Sequence, residues 1–183
     1  MKIRETSGFG ELCSVRRLYG RAFPASEKKP FWLIRKKCRD GLAEMLVIEN
    51  GDFAGLAITA LYDDYVLLDY FAVHDKKRGS GIGSEAIKLL CDRYGGKKFF
   101  LEIESTKIPS DNMKQRESRK RFYLRNGLVE TGMEISLFGV RMEVLSNGCG
   151  LTYDEYTSLY RETYGDAIVK RIKRITPEGA QGT

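Results

Sequence analysis

Val66-Leu67-Leu68-Asp69-Tyr70-Phe71-Ala72-Val73-His74-Asp75-Lys76-Lys77-Arg78-Gly79-Ser80-Gly81-Ile82-Gly83-Ser84-Glu85-Ala86-Ile87 is the stretch that decides how this chain of 183 residues is read. An apolar run of strand character passes through a basic, glycine-rich turn into a helical pattern. Glycines at alternate positions leave no Cβ to obstruct φ > 0 or close approach of the backbone to a ligand. Such a loop turns its amides inward and forms a concave anion site. The helix that starts near Gly81 or Gly83 adds its unpaired first-turn N–H groups and the positive end of its dipole, and Lys76, Lys77 and Arg78 add full charges. The expected occupant is a pyrophosphate.

Working outward, Leu12, Val15, Leu18, Tyr19 and Ala22 recur at helical spacing, and Phe23-Pro24 closes a helix over 9–22, because the residue before proline resists the α region. A second helix is expected over 31–40, stopping at Gly41. The period then shortens: 44–49, 53–60 and 65–73 are strand-like, and Asn50-Gly51 between two of them signals a hairpin. A helix over 82–94 leads to a strand over 98–104, a crossover that predicts parallel pairing with 65–73. A helix over 112–126 and strands over 128–132 and 134–145 complete the pattern. The expected fold is a mixed, twisted α/β sheet of six to seven strands with helices on both faces, over residues 1–146. Residues 147–183 read as a helical extension packed on the domain or on a partner. Thr152-Tyr153-Asp154-Glu155 has capping-box spacing, Tyr156, Leu159 and Tyr160 form an apolar stripe, and Ile168, Val169, Ile172 and Ile175 suggest a second, basic amphipathic helix before a frayed end at 177–183.

Composition bounds the function. With 42% hydrophobic residues the chain can bury one good core. No apolar run approaches the ~20 residues of a membrane span, and the N-terminus lacks the apolar core of a signal peptide, so a cytoplasmic protein without a membrane partner is expected. Cys13, Cys38, Cys91 and Cys149 are widely spaced and form no metal-binding pair. Cys91 falls on an apolar helix face as an inert thiol, and His74, the one histidine, occupies a turn. The net charge of +6 gathers at 28–39, 76–78, 107–125 and 170–174. A polyanionic cofactor accounts for part of it, solvated helix faces for the rest, and nucleic acid is a less favoured partner.

A dinucleotide site is the competing reading of the glycine loop, with Glu102 or Glu104 as the acidic residue ~20 positions on. The third glycine of that fingerprint would fall on Ser84, which argues against it. Arg78-Gly79-Ser80-Gly81-Ile82-Gly83 instead resembles the acetyl-CoA loop of the GNAT superfamily of N-acetyltransferases, Arg/Gln-x-x-Gly-x-Gly/Ala after a strand ending in Val. Downstream, Tyr123-Leu124-Arg125-Asn126-Gly127-Leu128 resembles that family's Tyr-x-x-x-Gly-Phe element, with Leu128 in place of Phe. The likeness spans roughly residues 10–146.

The resemblance implies splayed central parallel strands with the pantetheine arm of acetyl-CoA against the backbone of Phe71, Ala72 and Val73. It implies cofactor contacts from Arg78, Gly79, Ser80, Gly81, Ile82, Gly83 and Ser84, and release of CoA as product. Acyl transfer to an amine whose pKa lies near ~10 benefits from a base. Leu101-Glu102-Ile103 resembles the base-bearing strand of one branch of the family, which makes Glu102 the first choice. Asp69, Glu104 and water are the alternatives. Tyr123 matches the tyrosine that protonates the CoA sulfur in many members. Arg116 stands where an Asn often contacts CoA, which leaves the cofactor contacts of that helix open. Glu104 shares a strand face with Glu102, and Glu104, Asp69 and the loop residue Glu27 are candidates to bind a cationic acceptor. The expected activity is acetylation of a small-molecule or peptide primary amine by direct attack in a ternary complex, with a homodimer as one assembly. The alternative is a catalytically inactive CoA-binding or nucleic-acid-binding module whose basic stretch 107–125 meets phosphate.

Overall fold

A computed structural model describes residues 1–25 and 27–176. The chain divides after Lys97 into two compact units. The expected frayed end at 177–183 lies outside the described residues.

The first unit holds four antiparallel strands in chain order, β1 (Lys2–Glu5), β2 (Ala43–Asn50), β3 (Asp52–Tyr62) and β4 (Tyr65–Val73). Because side chains alternate across a strand, β2, β3 and β4 each feed two cores. Helices α1 (Gly8–Ala22) and α2 (Phe31–Arg39) cover one face, where Val15, Leu18, Tyr19 and Ile34 meet Met45, Val47, Leu56, Ile58, Tyr70 and Ala72. Helix α3 (Ile82–Arg93) covers the other, where Ile82 and Ala86 meet Ile48 and Ala54, with Phe71 and Val73 packed alongside. Two irregularities shape β4. The register against β3 slips between Ile58↔Tyr70 and Thr59↔Leu68, so Asp69 is the extra residue of a bulge, a device that re-aims a side chain. Three pairs further on, Gly55 faces Val73, and a Cβ at 55 would stand 2.5 Å from the Ala72 carbonyl oxygen. Only glycine lets these strands approach so closely.

The second unit contains β5 (Lys98–Glu104), α4 (Met113–Arg125), β6 (Val129–Leu137), β7 (Val140–Ser146), α5 (Tyr153–Tyr164), the single turn α6 (Asp166–Val169) and β8 (Ile172–Ile175). Its strands lie in the order β5-β7-β6-β8, with every pair antiparallel. The capping box at Thr152 forms as expected: Thr152 Oγ1 accepts from the Glu155 amide, and Glu155 accepts from the Thr152 amide.

The α/β class and most element positions agree with the sequence reading, while three details differ. The strands number four in each unit rather than six or seven in all, because β1 and β8 went unread. Lys2–Glu5 is short and mostly charged, and it is a strand by virtue of pairing with β2. The expected helix through Ile175 ends at Val169. Ile172 and Ile175 obey helical spacing, but they lie on β8, which pairs with β6 through Leu137↔Ile172 and Glu134↔Ile175. The hairpin break expected at Met133 falls instead at Phe138-Gly139, because Gly132 (φ +77°) belongs to an irregularity inside β6 and not to a turn.

Candidate active site

The anion cradle grows from the end of β4. Asp75–Lys77 form one 3₁₀ turn, capped by His74, whose Nδ1 accepts from the Lys76 amide at 3.4 Å. Gly79 (φ +76°) and Gly81 (φ +83°) occupy the left-handed region, and Gly81 is the N-cap of α3. Side chains rarely tolerate that backbone. Gly83 lies within the first helical turn with no positive φ, so only two of the three glycines are required conformationally. At Gly79 and Gly81 no heavy atom lies within 4 Å of where a Cβ would stand, which leaves the approach open. None of the backbone N–H groups of Gly79, Ser80, Gly81, Ile82, Gly83 and Ser84 donates to another described residue. Buried amides in that condition are rare. At a solvent-facing helix start, such a run suits a ligand with several acceptor oxygens.

Side chains hold the loop in this shape. Lys77 pairs with Asp52 and donates to the Asn50 carbonyl at 3.4 Å, which ties the turn to the β2–β3 hairpin. Arg78 bonds the Val73 carbonyl at 3.2 Å and Asp75 at 2.9 Å, while Ser80 Oγ donates to the Lys77 carbonyl at 2.7 Å. Lys76, Arg78, Gly79, Ser80, Gly81 and Ser84 are exposed. The residues fit a diphosphate.

The carboxylates singled out in the sequence are all engaged, each differently. Asp69, aimed by its bulge, receives Lys29 Nζ on both oxygens at 2.7 and 2.9 Å, with side-chain exposures of 5% and 9%. Around that pair, Tyr19 donates to the Lys29 carbonyl at 2.8 Å, and Tyr70 donates to the Glu27 carbonyl at 2.9 Å while accepting from the Lys29 amide at 3.0 Å. The α1–α2 connection is thus held by its backbone, and the Glu27 side chain is exposed. Burial pushes the Tyr19 phenol up to about 12 and the Tyr70 phenol higher still, so both remain neutral donors. Glu104 accepts from Arg116 at 2.7 Å and Asn112 at 3.3 Å, linking β5 to the start of α4. Arg116, the departure from the family's Asn, therefore serves a carboxylate of its own unit. Glu102 accepts from two buried tyrosines of α5, Tyr156 and Tyr160, the latter at 2.8 Å. The sequence reading placed both tyrosines in an apolar stripe and did not anticipate their hydroxyls meeting Glu102. Their i, i+4 spacing on a firmly capped helix was the available signal.

Tyr123 is buried on α4, edge-on to Phe122 with ring centroids 5.1 Å apart. Its hydroxyl makes no hydrogen bond among the described residues. Burial pushes its phenol up to about 12 against the opposing pull of Arg119, so it holds its proton throughout the physiological range. The basic stretch 107–125 is largely occupied within its own unit: Lys107 pairs with Glu134, Arg116 with Glu104, and Lys120 with Glu130 and Glu143. Burial works to raise the Glu134 and Glu143 carboxyls, yet these partners hold both below their ordinary value. Cys91 is partly buried, and burial raises its thiol. Among the described residues no helix is long and apolar enough to cross a membrane, and no cluster of His, Cys, Asp and Glu is suited to a metal ion.

Residues 12–126 match the model of the acetyltransferase (GNAT) family. No curated protein matches the sequence. Among solved structures, an acetyltransferase ascribed to the GNAT family of Bacteroides thetaiotaomicron aligns with a TM-score of 0.77 at 18% identity, over 90% of this chain and 99% of that one. Spermidine N-acetyltransferase from Vibrio cholerae, solved with CoA and spermine, aligns with a TM-score of 0.63 at 15% identity, over 79% of this chain and 93% of that one. An aminoglycoside 6′-N-acetyltransferase complexed with coenzyme A gives 0.64 at 13% identity, over 80% and 96%. At such identities the likeness is one of fold, and the family match carries the assignment: this chain belongs to the GNAT family of acetyltransferases.

Proposed function

We propose that the protein acetylates a primary amine with acetyl-CoA by direct attack in a ternary complex. The observation that carries the reading is the run of unpartnered amides from Gly79, Ser80, Gly81, Ile82, Gly83 and Ser84 at the start of α3. These donors, with the exposed side chains of Lys76 and Arg78, would hold the pyrophosphate, and the β4 backbone at Phe71, Ala72 and Val73 would hold the pantetheine arm. Bound acetyl-CoA supplies an activated acyl thioester. We assign Glu102 as the base that removes the proton from the acceptor nitrogen, directly or through one water. Its two tyrosine donors fix the orientation of the carboxylate. Tyr123, protonated and with an uncommitted hydroxyl, is assigned the proton for the departing thiolate.

Asp69 and Glu104 each face a cation of their own unit. In this reading they hold the acceptor loop and the start of α4, and they shape the acceptor site indirectly. The CoA complexes of the spermidine and aminoglycoside enzymes support the choice of cofactor and of an amine acceptor.

The test is thermal unfolding with acetyl-CoA, CoA, NAD and ATP, followed by an amine panel. A ligand at 100 times its Kd stabilises by ~2.7 kcal/mol, which moves the midpoint by several degrees. A shift with the CoA species alone is expected, together with turnover that falls ~10²-fold or more in Glu102→Gln. A shift with NAD, or none with CoA, would overturn the reading.

A further inference from the structure

The tip of the β6–β7 hairpin is built against the economics of folding. Leu137 pairs with Val140, so Phe138 and Gly139 form a two-residue turn with φ of +52° and +87°. Asn-Gly is the sequence that such a turn favours, because a bulky side chain at positive φ is strained. Phe138 accepts that strain without burial: it is 45% exposed and makes no ring contact among the described residues. An aromatic residue gaining neither backbone comfort nor a core contact points to a role outside folding.

Its surroundings show what that role is. Phe138 lines an open groove of about 420 Å³ together with Ser136, Gly139, Lys170, Arg171 and Lys173. No carboxylate is among the lining residues. The three cations are exposed, and none forms an ion pair among the described residues. This contrasts with α4 of the same unit, where Lys120 and Arg116 both have carboxylate partners. The walls are fixed by backbone: the Phe138 amide donates to the Arg171 carbonyl at 3.1 Å, and Ser136↔Lys173 and Leu137↔Ile172 are paired across β6 and β8. A ligand would meet a preformed surface of one ring face, three cations and one hydroxyl.

From this combination we infer that the groove binds a nucleoside phosphate, with the base stacked on Phe138 and the phosphate held by Lys170, Arg171 and Lys173. A groove of a few hundred Å³ is the size of small-ligand sites. An aromatic platform beside cations is how single strands and nucleotides are gripped without sequence readout. An acidic peptide would satisfy the cations but give the strained ring nothing to stack on. The nucleotide comes either free or as a unit of a single strand.

Two probes distinguish these sources, each on the full chain and on its Gly81→Ala variant: uridine 5′-monophosphate, and a labelled single-stranded RNA on the order of twelve nucleotides. Equal binding to both chains is expected, since position 81 lies in the cradle and not among the residues that line the groove. If the RNA binds no more tightly than the mononucleotide, the ligand is the free nucleotide. If it binds at least ~10-fold more tightly, with a log–log salt slope near about −2 for three phosphate contacts, the ligand is the strand. Phe138→Asn should weaken binding several-fold while raising the melting midpoint, since Asn tolerates the left-handed backbone. Replacing Lys170, Arg171 and Lys173 together by Gln should abolish binding with the midpoint unchanged. The inference fails if neither probe binds, if Gly81→Ala weakens their binding as it weakens that of CoA, if a poly-glutamate peptide binds equally well, or if Phe138→Asn leaves affinity intact or lowers the midpoint. These readouts are independent of acetyl transfer.

Discussion

The cradle at the end of β4 and the carboxylates of β4 and β5 are opposites in how their polar groups are spent. Around the cradle, side chains bond to one another and to carbonyls, while the amides of Gly79, Ser80, Gly81, Ile82, Gly83 and Ser84 are left without partners. Asp69 and Glu104 instead face cations, and Glu102 faces two phenols. A polar group already engaged by its own fold must break a bond to serve a ligand, whereas an unpartnered one has only water to lose. The difference separates residues poised to bind from residues poised to hold, and the proposal that Glu102 is the base rests on its having two phenols among its partners, where Asp69 and Glu104 have cations.

The largest effect that would break this comparison is at Asp69. Asp69→Ala takes the carboxylate away from the buried Lys29 ammonium, and removing one partner of such a pair costs about 3–5 kcal/mol. The melting midpoint should fall by on the order of 10 °C. A fall of only a degree or two would mean that the pair holds nothing and that Asp69 is available to substrate after all. Next comes Tyr123→Phe, expected to lower kcat by up to ~10²-fold. Because burial keeps the phenol protonated until about pH 12, the factor should be the same at both ends of an ordinary assay range. A penalty that vanishes toward alkaline pH would show that the phenol loses its proton far earlier than its burial implies.

Gly81→Ala sharpens the other side of the comparison. The new Cβ meets no protein atom, and the strain of a left-handed alanine is ~1–2 kcal/mol. Affinity for CoA, measured by calorimetry, should fall about tenfold or more, beyond what that strain does to the midpoint. The smallest effect belongs to Tyr160→Phe. Losing a donor disfavours the ionised form of Glu102, so the acidic limb of the pH profile of kcat/KM should move to higher pH while the limb of Tyr123→Phe stays in place. An unmoved limb in Tyr160→Phe would assign the base elsewhere.

The cradle was legible in the sequence because its parts are neighbours along the chain: strand, basic turn, glycines and helix start follow within residues 66–87. The strand Tyr65–Val73 and the strand Lys98–Glu104 were legible for the same reason, as runs rich in apolar and aromatic residues between clear turn signals. What defines the carboxylates is remote. Lys29 comes to Asp69 across 40 residues, and Tyr156 and Tyr160 come to Glu102 across 54 and 58. Periodicity reports which face of a helix is covered, not whether a tyrosine ring brings its hydroxyl to a distant acid. The same limit explains β8: Ile172 and Ile175 match both a helix and an edge strand, and only the exposed flank of β6 decides between them.

Gly55 has a consequence for how this protein tolerates mutation. It touches no ligand in the proposed chemistry, yet even the smallest side chain there would press on the Ala72 carbonyl and push β4 away from β3 just before the cradle begins. In a saturation library scored for activity, position 55 should therefore be as barren as positions 79 and 81. A map of intolerant sites would draw the boundary of the proposed cofactor region one strand deeper than the residues assigned to hold the cofactor.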